Sequence, residues 1–447
     1  MKWKSLIASV LGTILFLSTS SSLWAASFNA KEVTIYTTQI NKNPSKYEPI
    51  KGAYLGAYII QDETIKANID TFTDWTKKKH ASYFYYVGYG SPFPKEWVEQ
   101  VKAAGGFPHI AWEPNNGLQD VQDNAYLRKF ALDAKESGVP IFLRYASEMN
   151  GTWTEYSGKG KEELYKQKWK LVHSVMSKTA PNVMMTWTVF TFPEEPMMKY
   201  YPGDEYVDWV GVNIYNVMYH NNDINQRADK EDPLELLDYV YKEFSYRKPI
   251  QISEFGVTHY TITDKKYHVN FAMDKIARLY NVLPTKYPRV KSIYYFDVNN
   301  LVNAPAGRKI NDYSLTSDKN VLAVYNKAIQ NPHYLTDIAG ALVQEPRKEN
   351  YSYRTFLFYK NGSLYVDLSF YQNYLRLKST KKQNQVTLSD GIKSKTYTLT
   401  SGSVKRVGYL KPDVIQGLPL REVAEYFGYK LNLEQLKEET NIYLVKK

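Results

Sequence analysis

The sequence predicts an α/β fold, a (β/α)8 barrel (TIM barrel) followed by a small α+β region of C-terminal repeats. Eight short apolar runs recur between residues 52 and 296 at a mean step of about 34 residues, the size of a βα unit. Amphipathic stretches separate the runs, and no glycine-rich phosphate loop is present. A doubly wound open sheet is the competing architecture, but it usually has fewer units and such a loop.

The eight runs are mostly continuous rather than alternating, as expected for parallel strands that are covered on both faces. They occupy residues 52–60, 83–87, 108–112, 140–144, 183–189, 209–214, 249–253 and 291–296. Helices are predicted from Pro94, which suits a first turn, and over residues 121–137, 161–178 and 265–280. In a barrel of this kind the chemistry lies where the strands end, so the residues that close each run are the candidates for a site.

The N-terminus predicts export. Lys2 and Lys4 precede an apolar run over residues 6–17, and Ala25 is a suitable last residue before cleavage. The run is shorter than the roughly 20 residues that span a bilayer, although an uncleaved anchor is the alternative. The chain has no cysteine, which excludes disulfides, a thiol nucleophile and a lipoprotein anchor. A secreted or cell-surface protein of a Gram-positive type of bacterium is expected.

The charge pattern divides the chain. The formal net charge is +11, and residues 341–447 hold 18 basic and 10 acidic residues, so the middle region is nearly neutral. We expect a signal peptide (1–25), a lead-in segment (26–49), the barrel (50–340), a linker (341–353) and a stalk-like accessory domain (354–447). The basic region suits contact with anionic cell-wall polymers, or is a plain solvated surface. No nucleic-acid motif is present, and a monomer is expected.

Two glutamates at strand ends predict catalysis. Glu148 lies just beyond the fourth run and Glu254 closes the seventh, so their side chains are expected to face each other across the barrel mouth. Cleavage of a glycosidic bond needs a proton donor to the leaving oxygen and a negative group at the sugar carbon, and two carboxylates about 5–5.5 Å apart supply both with retention of configuration.

Aromatic and polar residues at the same strand ends suit a carbohydrate site. The expected stacking surfaces are Trp112, Trp153 and Trp187, and the expected hydroxyl partners are Arg144, Asn150 and Tyr215. Packing in the core is the alternative for Trp112 and Trp187, and pairing with a buried acid is the alternative for Arg144. Seven histidines show no metal-binding spacing, so neither a metal nor a cofactor is predicted.

These motifs resemble a known family. The segment RYASEMNGTW at 144–153 resembles the acid/base segment of glycoside hydrolase family 26, and ISEFG at 252–256 is similar to its nucleophile segment. GVNIY at 211–215 resembles the strand-six segment whose tyrosine holds the nucleophile. The resemblance covers about residues 50–330. It implies that Glu148 is the acid/base, Glu254 the nucleophile and Tyr215 the partner of the nucleophile, with a polysaccharide as substrate.

Two departures from the family pattern limit what the resemblance implies. Mannanases of the family usually have histidine where this chain has Ser147, and often tryptophan where it has Tyr156. The expectation is therefore a retaining endo-β-glycanase that is not a standard mannanase. A non-catalytic polysaccharide-binding protein and a transglycosylase that remodels an exopolysaccharide are the alternatives.

The C-terminal region contains a weak repeat with a period of about 55 residues, which starts at Gly362 and again at Gly417. Each unit is predicted to be a short helix followed by a strand hairpin. The second unit resembles the stalk-type repeat similar to the N-terminal domain of copper amine oxidases. No copper site is implied, since no histidine follows His333.

Overall fold

The computed structural model describes residues 32–354, 357–404, 413–436 and 439–447. The predicted signal peptide and the first residues of the predicted lead-in segment lie outside these ranges. Among the helices that are described, none has the length and apolar character needed to cross a membrane.

Strands and helices alternate through the first three quarters of the chain. The strands, in chain order, are β1 (Glu32–Asn41), β2 (Ala53–Tyr58), β3 (Ser82–Gly88), β4 (Phe107–Glu113), β5 (Ile141–Tyr145), β6 (Val183–Phe190), β7 (Trp209–Asn216), β8 (Ile250–Val257), β9 (Tyr260–Thr261), β10 (Lys266–Tyr267), β11 (Val290–Phe296), β12 (Asn311–Asp312), β13 (Tyr334–Leu335), β14 (Arg347–Tyr353), β15 (Leu357–Lys360), β16 (Ser363–Asp367), β17 (Lys378–Lys382), β18 (Gln385–Ser389), β19 (Ser394–Thr398), β20 (Thr400–Val404), β21 (Asp413–Pro419), β22 (Tyr429–Gln435) and β23 (Glu439–Lys446). The α-helices are α1 (Ile69–Thr76), α2 (Lys95–Ala103), α3 (Ala125–Glu136), α4 (Glu162–Thr179), α5 (Met197–Tyr200), α6 (Pro233–Phe244), α7 (Val269–Lys286), α8 (Asn300–Asn303), α9 (Lys319–Ile329) and α10 (Leu420–Tyr426).

The strands β2 to β8 and β11 form a closed parallel barrel. Each pairs with the next in this order, and β11 pairs back to β2. The eight runs predicted as strands correspond to these eight, so the predicted barrel is confirmed. Because every strand is parallel, all eight carboxyl ends open at one end of the barrel, where the candidate residues meet.

Two apolar cores stabilise the barrel. The larger core fills the space between the sheet and the surrounding helices. The smaller core lies inside the barrel and consists mainly of large aromatic rings, including Tyr54, Phe84, Phe107, Phe142, Trp209 and Tyr294. Arg144 is fully buried, and its guanidinium lies over the rings of Phe84 and Tyr86. The interior is therefore a packed floor beneath the open mouth.

A buried pair of acids, Asp297 and Asp62, lies just beyond the end of β11. Asp297 follows this strand and accepts a hydrogen bond from Leu315 N at 2.7 Å, while Asp62 accepts one from Thr316 Oγ1 at 2.6 Å. Burial, and then the neighbouring charge of Asp62, raise the pKa of Asp297 well above its ordinary value. Asp297 therefore carries a proton in the folded protein over a pH range in which the unfolded chain has lost it.

We expect Asp297→Asn to make stability less sensitive to pH. The folded wild type binds the extra proton, so stability present below the unfolded pKa of about 4 is lost as the pH rises toward the folded value. Asparagine has no such proton to lose. Unfolding temperatures at pH 5 and pH 8 should therefore shift in favour of the variant at pH 8. Equal pH dependence in the two proteins would contradict the protonated state of Asp297.

The accessory domain includes the start of the described chain. Strand β1 is paired in parallel with β23 and antiparallel with β14, in a sheet ordered β14-β1-β23-β22. The prediction of a linker over 341–353 is therefore wrong for β14, which is a strand of this sheet. The lead-in likewise contributes β1 instead of a separate segment, because its alternating side chains pack on the accessory core at Ile35.

The predicted repeats are observed in part. The second unit contains α10 followed by the antiparallel hairpin of β22 and β23, as predicted. In the first unit the helical part is a short π-helical turn at Phe370–Tyr374, and three antiparallel strands, β17 to β19, follow it. The resemblance to stalk-type repeats stays a prediction.

Buried ion pairs join the accessory domain to the barrel. Arg289, which precedes β11, is fully buried and pairs with Glu48 and with Glu349 of β14, and Lys291 Nζ lies 2.9 Å from Glu349. Lys286, at the end of α7, donates to Asn441 of β23 at 2.6 Å. All these barrel residues lie where strands begin and helices end. The accessory domain is therefore at the opposite end of the barrel from the mouth.

Candidate active site

The two predicted catalytic carboxylates belong to one hydrogen-bonded network at the barrel mouth. Arg144 Nη2 lies 2.6 Å from Glu254 Oε1, and Arg144 Nη1 donates to Asn213 Oδ1 at 3.4 Å. Asn213 Nδ2 in turn donates to Glu148 Oε1 at 2.7 Å. Strands β5, β7 and β8 therefore bring Glu148 and Glu254 to the same place, as the sequence predicted.

Glu254 is held on both carboxylate oxygens. Its Oε1 contacts the Arg144 guanidinium and accepts a hydrogen bond from Tyr86 OH at 2.5 Å, and its Oε2 accepts a short hydrogen bond from Tyr215 OH. The side chain is 5% exposed. These contacts fix the orientation of the carboxylate and compensate a negative charge. The hydrogen bond expected between Tyr215 and Glu254 is present.

Glu148 has a different environment. Burial, and then the charge of Glu254, raise its pKa to about 7, while hydrogen bonds from Asn213 and Trp153 and the charge of Arg144 act in the opposite direction. The carboxylate therefore carries a proton for much of the time near neutral pH. Two acids in one site with different charge states are the arrangement that acid catalysis beside a nucleophile requires.

Trp153 forms the exposed wall of the site. Its Nε1 donates to Glu148 Oε2 at 2.7 Å, and its ring packs edge-on against Phe190. The residue is 41% exposed, so a ring face is open beside the acid. A tryptophan with one end bound to the protein and one face open suits contact with a sugar ring.

Trp112 and Trp187 do not line the site, and their prediction as stacking surfaces is wrong. Trp112 is fully buried and stacks on Phe130 of α3 with ring centroids 4.0 Å apart. Trp187 is fully buried against Tyr201 and Phe244 of α6. Both rings point from the sheet toward the surrounding helices, so neither offers a face to a ligand.

The predicted roles of Asn150 and Arg144 as direct substrate ligands are also corrected. Asn150 Nδ2 donates to the carbonyl oxygens of Phe190 and Pro193 at 2.8 and 2.9 Å, and its Oδ1 accepts from Phe190 N at 2.9 Å. This side chain holds the segment that follows β6. Arg144 has no exposed surface and acts beneath the site, on Glu254 and Asn213.

The sequence assigned no role to three residues of the site, although each lies at or near the end of a predicted strand. Tyr86 and Asn213 contact the two glutamates directly. Glu113, the last residue of β4, accepts hydrogen bonds from Ser147 and Tyr156 and is 8% exposed. Their positions were a usable signal, because barrel sites are built from strand ends.

Comparison with known proteins shows which family this part of the chain is similar to. Residues 114–282 match the model of Glycosyl hydrolase family 26, and this stretch contains both glutamates. This part of the barrel is therefore similar to family 26. The resemblance found in the sequence is thus supported for this domain, whereas the copper amine oxidase-like resemblance of the C-terminal region has no such support.

Several relatives share part of the domain. Endoglucanase H of Acetivibrio thermocellus is 24% identical over 294 residues, which are 62% of this chain and 30% of that protein. A β-1,3-xylanase of an Alcaligenes species is 28% identical over 162 residues, 34% of this chain and 31% of that protein. A mannan endo-1,4-β-mannosidase of Bacillus subtilis is 35% identical over 103 residues, 21% of this chain and 28% of that protein. This chain therefore spans about 30% of the length of these relatives.

Solved structures of the family are also similar. A family 26 β-mannanase from Bacteroides ovatus is 13% identical, with a TM-score of 0.45, over 66% of this chain and 93% of that chain. A β-mannanase from a protist symbiont of the termite Reticulitermes speratus is 16% identical, with a TM-score of 0.44, over 67% of this chain and 99% of that chain.

Proposed function

We propose that this family 26 domain is a retaining β-glycosidase that cleaves a polysaccharide within its chain. The observation that carries the proposal is the difference between the two carboxylates. Glu254 is held by Arg144, Tyr86 and Tyr215, while Glu148 has a pKa raised to about 7. One group is therefore prepared to attack and the other to donate a proton.

The reaction follows from this arrangement. A carboxylate oxygen of Glu254 attacks the anomeric carbon while Glu148 gives its proton to the glycosidic oxygen, so one C–O bond forms as the other breaks and the leaving sugar departs as an alcohol. Glu148, now ionised, takes a proton from water. That water attacks the same carbon, releases Glu254 and leaves the product with its original configuration.

The hydroxyl of Tyr215 assists in both steps. It donates to Glu254 Oε2 before the reaction, and the Arg144 guanidinium balances the charge on Oε1. When one oxygen of Glu254 bonds to the sugar, the carboxylate loses its negative charge, and the hydrogen-bond donors around it can reorient. Trp153 supplies a sugar-facing ring beside the acid, and its indole N–H orients Glu148.

The proposed substrate is a β-glycan other than ordinary mannan. Where the mannanase pattern has histidine, Ser147 here is 5% exposed, and its hydroxyl is bound to Glu113 Oε1 at 2.5 Å. No imidazole is therefore available at that position to bind a sugar hydroxyl. Measurement of reducing-sugar release from mannans, mixed-linkage glucans, β-1,4- and β-1,3-xylans and bacterial exopolysaccharides tests the proposal. Absence of products from every one of these polysaccharides would contradict it.

Activity is expected to fall as the pH rises through about 7. The first step needs the protonated form of Glu148, and deprotonation above a pKa of about 7 removes the acid, so kcat should drop about tenfold per pH unit beyond it. Glu148→Gln has no proton to lose, and its residual rate should not show this limb. A wild-type profile that stays level from pH 6 to pH 9 would refute the role of Glu148.

The setting of the enzyme is proposed from the sequence. The N-terminal segment predicts export, and the net charge of +8 in residues 341–447 favours contact with anionic wall polymers. Fractionation of cells that express the full chain tests both points. The protein should be found in the medium or be released from walls by salt, and retention inside the cell would contradict export.

A further inference from the structure

The turn that carries Glu148 has an unusual backbone. Ala146 has a φ of +46° and Glu148 a φ of +58°, so two non-glycine residues on either side of Ser147 adopt left-handed conformations. Such conformations cost free energy and persist only where surrounding contacts hold them. They also tend to occur at functional sites, where they aim a particular side chain.

Glu113 binds the middle of this turn. Its Oε2 accepts from Ser147 N at 3.0 Å, and its Oε1 accepts from Ser147 Oγ at 2.5 Å. Tyr156 OH lies 2.6 Å from Glu113 Oε2 and 2.8 Å from Ser147 O. The backbone N–H and the hydroxyl of Ser147 thus both donate to one carboxylate, and the carbonyl of Ser147 shares the single hydroxyl proton of Tyr156 with that carboxylate.

Other contacts fix only the ends of the turn. Ala146 N donates to the carbonyl oxygen of Trp112 at 3.1 Å, and Glu148 N donates to that of Thr188 at 3.0 Å. These bonds join the turn to β4 and β6. The residue between the two left-handed positions is held by Glu113, the last residue of β4, and by Tyr156.

We propose that Glu113 is a positioning residue of the glycosidase, which holds the left-handed turn so that the carboxyl of Glu148 meets the glycosidic oxygen. This inference rests on the proposed function. Glu113 acts through Ser147 and does not touch the reacting atoms. The buried hydroxyl of Ser147 is therefore part of the support of the acid and is not a ligand of the sugar.

The test compares two substitutions at this position. Glu113→Ala removes both oxygens, so the turn should relax, and a displacement of the acid by about 1 Å lowers kcat about 10²-fold with little change in KM. Glu113→Gln keeps one acceptor for Ser147 N and offers an amide donor to Ser147 Oγ, which can also accept. It should therefore recover activity to within about fivefold of the wild type, the effect of about one hydrogen bond.

A second variant and a control separate an effect on the turn from a loss of folding. Tyr156→Phe keeps the ring and removes one hydroxyl, so kcat should fall about fivefold. Glu48→Gln changes a fully buried glutamate at the other end of the barrel, where it is paired with Arg289. This control should lower the unfolding temperature and leave kcat unchanged, because it does not contact the turn.

The titration of Glu148, followed in the substrate-free protein by difference infrared spectroscopy of its carboxyl band, separates this inference from the proposed function. In Glu113→Ala, or in Tyr156→Phe if that protein does not fold, the midpoint should move from the wild-type value toward that of an exposed glutamate. If the variant had an unchanged midpoint together with wild-type kcat, the positioning role would be overturned while the proposed glycosidase activity would stand. If the midpoint moved in the variant but the wild type had no activity on any glycan, the positioning role would be supported and the proposed glycosidase would be contradicted.

Discussion

Replacement of Glu254 by glutamine is expected to lower kcat by about 10⁴-fold or more, because the amide cannot form the glycosyl-enzyme bond. The change preserves side-chain volume. The amide oxygen can still accept a hydrogen bond from Tyr86, and the amide NH2 then faces the hydroxyl oxygen of Tyr215, which can accept one. Steady-state hydrolysis of the best substrate from the panel measures the loss. Removal of a nucleophile gives one of the largest effects that a single substitution has on an enzyme of this kind.

Its control is another buried glutamate with an arginine partner. Glu349→Gln lies at the accessory end of the barrel, next to Arg289 and Lys291, and should leave kcat unchanged. If Glu254→Gln kept more than about a tenth of the wild-type rate, the carboxylate would not form a covalent intermediate.

Replacement of Arg144 by methionine is expected to lower the free energy of unfolding by about 3–5 kcal/mol, because Glu254 is then left as an unpaired buried charge. Arg144 has no exposed surface and lies 2.6 Å from Glu254. Methionine fills much of the same volume, so loss of packing is a smaller part of the effect. Denaturant unfolding of the full chain measures the change.

The double variant Arg144→Met/Glu254→Gln tests the cause. With the charge of Glu254 also removed, no unpaired ion remains, and the double variant should be more stable than Arg144→Met alone. If the double variant instead lost the sum of the two single effects, the two side chains would not be coupled, and the network that joins Glu254 to Asn213 would need another explanation.

The catalytic pair could be predicted because strand ends are visible in sequence. Apolar runs of the right size end just before Glu148 and at Glu254, and a parallel barrel brings such ends together without further information. The difference between their environments could not be predicted. It depends on Tyr86 and Asn213, which lie 168 and 65 residues from the glutamates that they contact and come near them only when the barrel closes.

The two wrong tryptophans show the limit of the same reasoning. A strand that is covered on both faces reads as a continuous apolar run, so the sequence does not say which alternate residues face the barrel axis. Thr188 faces inward, where its hydroxyl lies 3.1 Å from that of Ser253, and Trp187 beside it must face the helices. Trp112 precedes Glu113, which faces the site, and points outward for the same reason.

The place of β1 could not be read from the sequence either. Its partners, β14 and β23, follow it by about 300 and 400 residues, and the alternation within 32–41 predicts a strand without naming a neighbour. A boundary drawn from composition therefore separated a segment that folds with the accessory domain.

The anomeric configuration of the first product is the measurement that decides between mechanisms. Proton NMR spectra taken within the first minutes of hydrolysis, before the sugar mutarotates, show which anomer is released. Direct attack by Glu254 followed by attack of water predicts the β-anomer from a β-linked glycan. Release of the α-anomer would mean that water attacks the sugar in a single step, and Glu254 would not be the nucleophile.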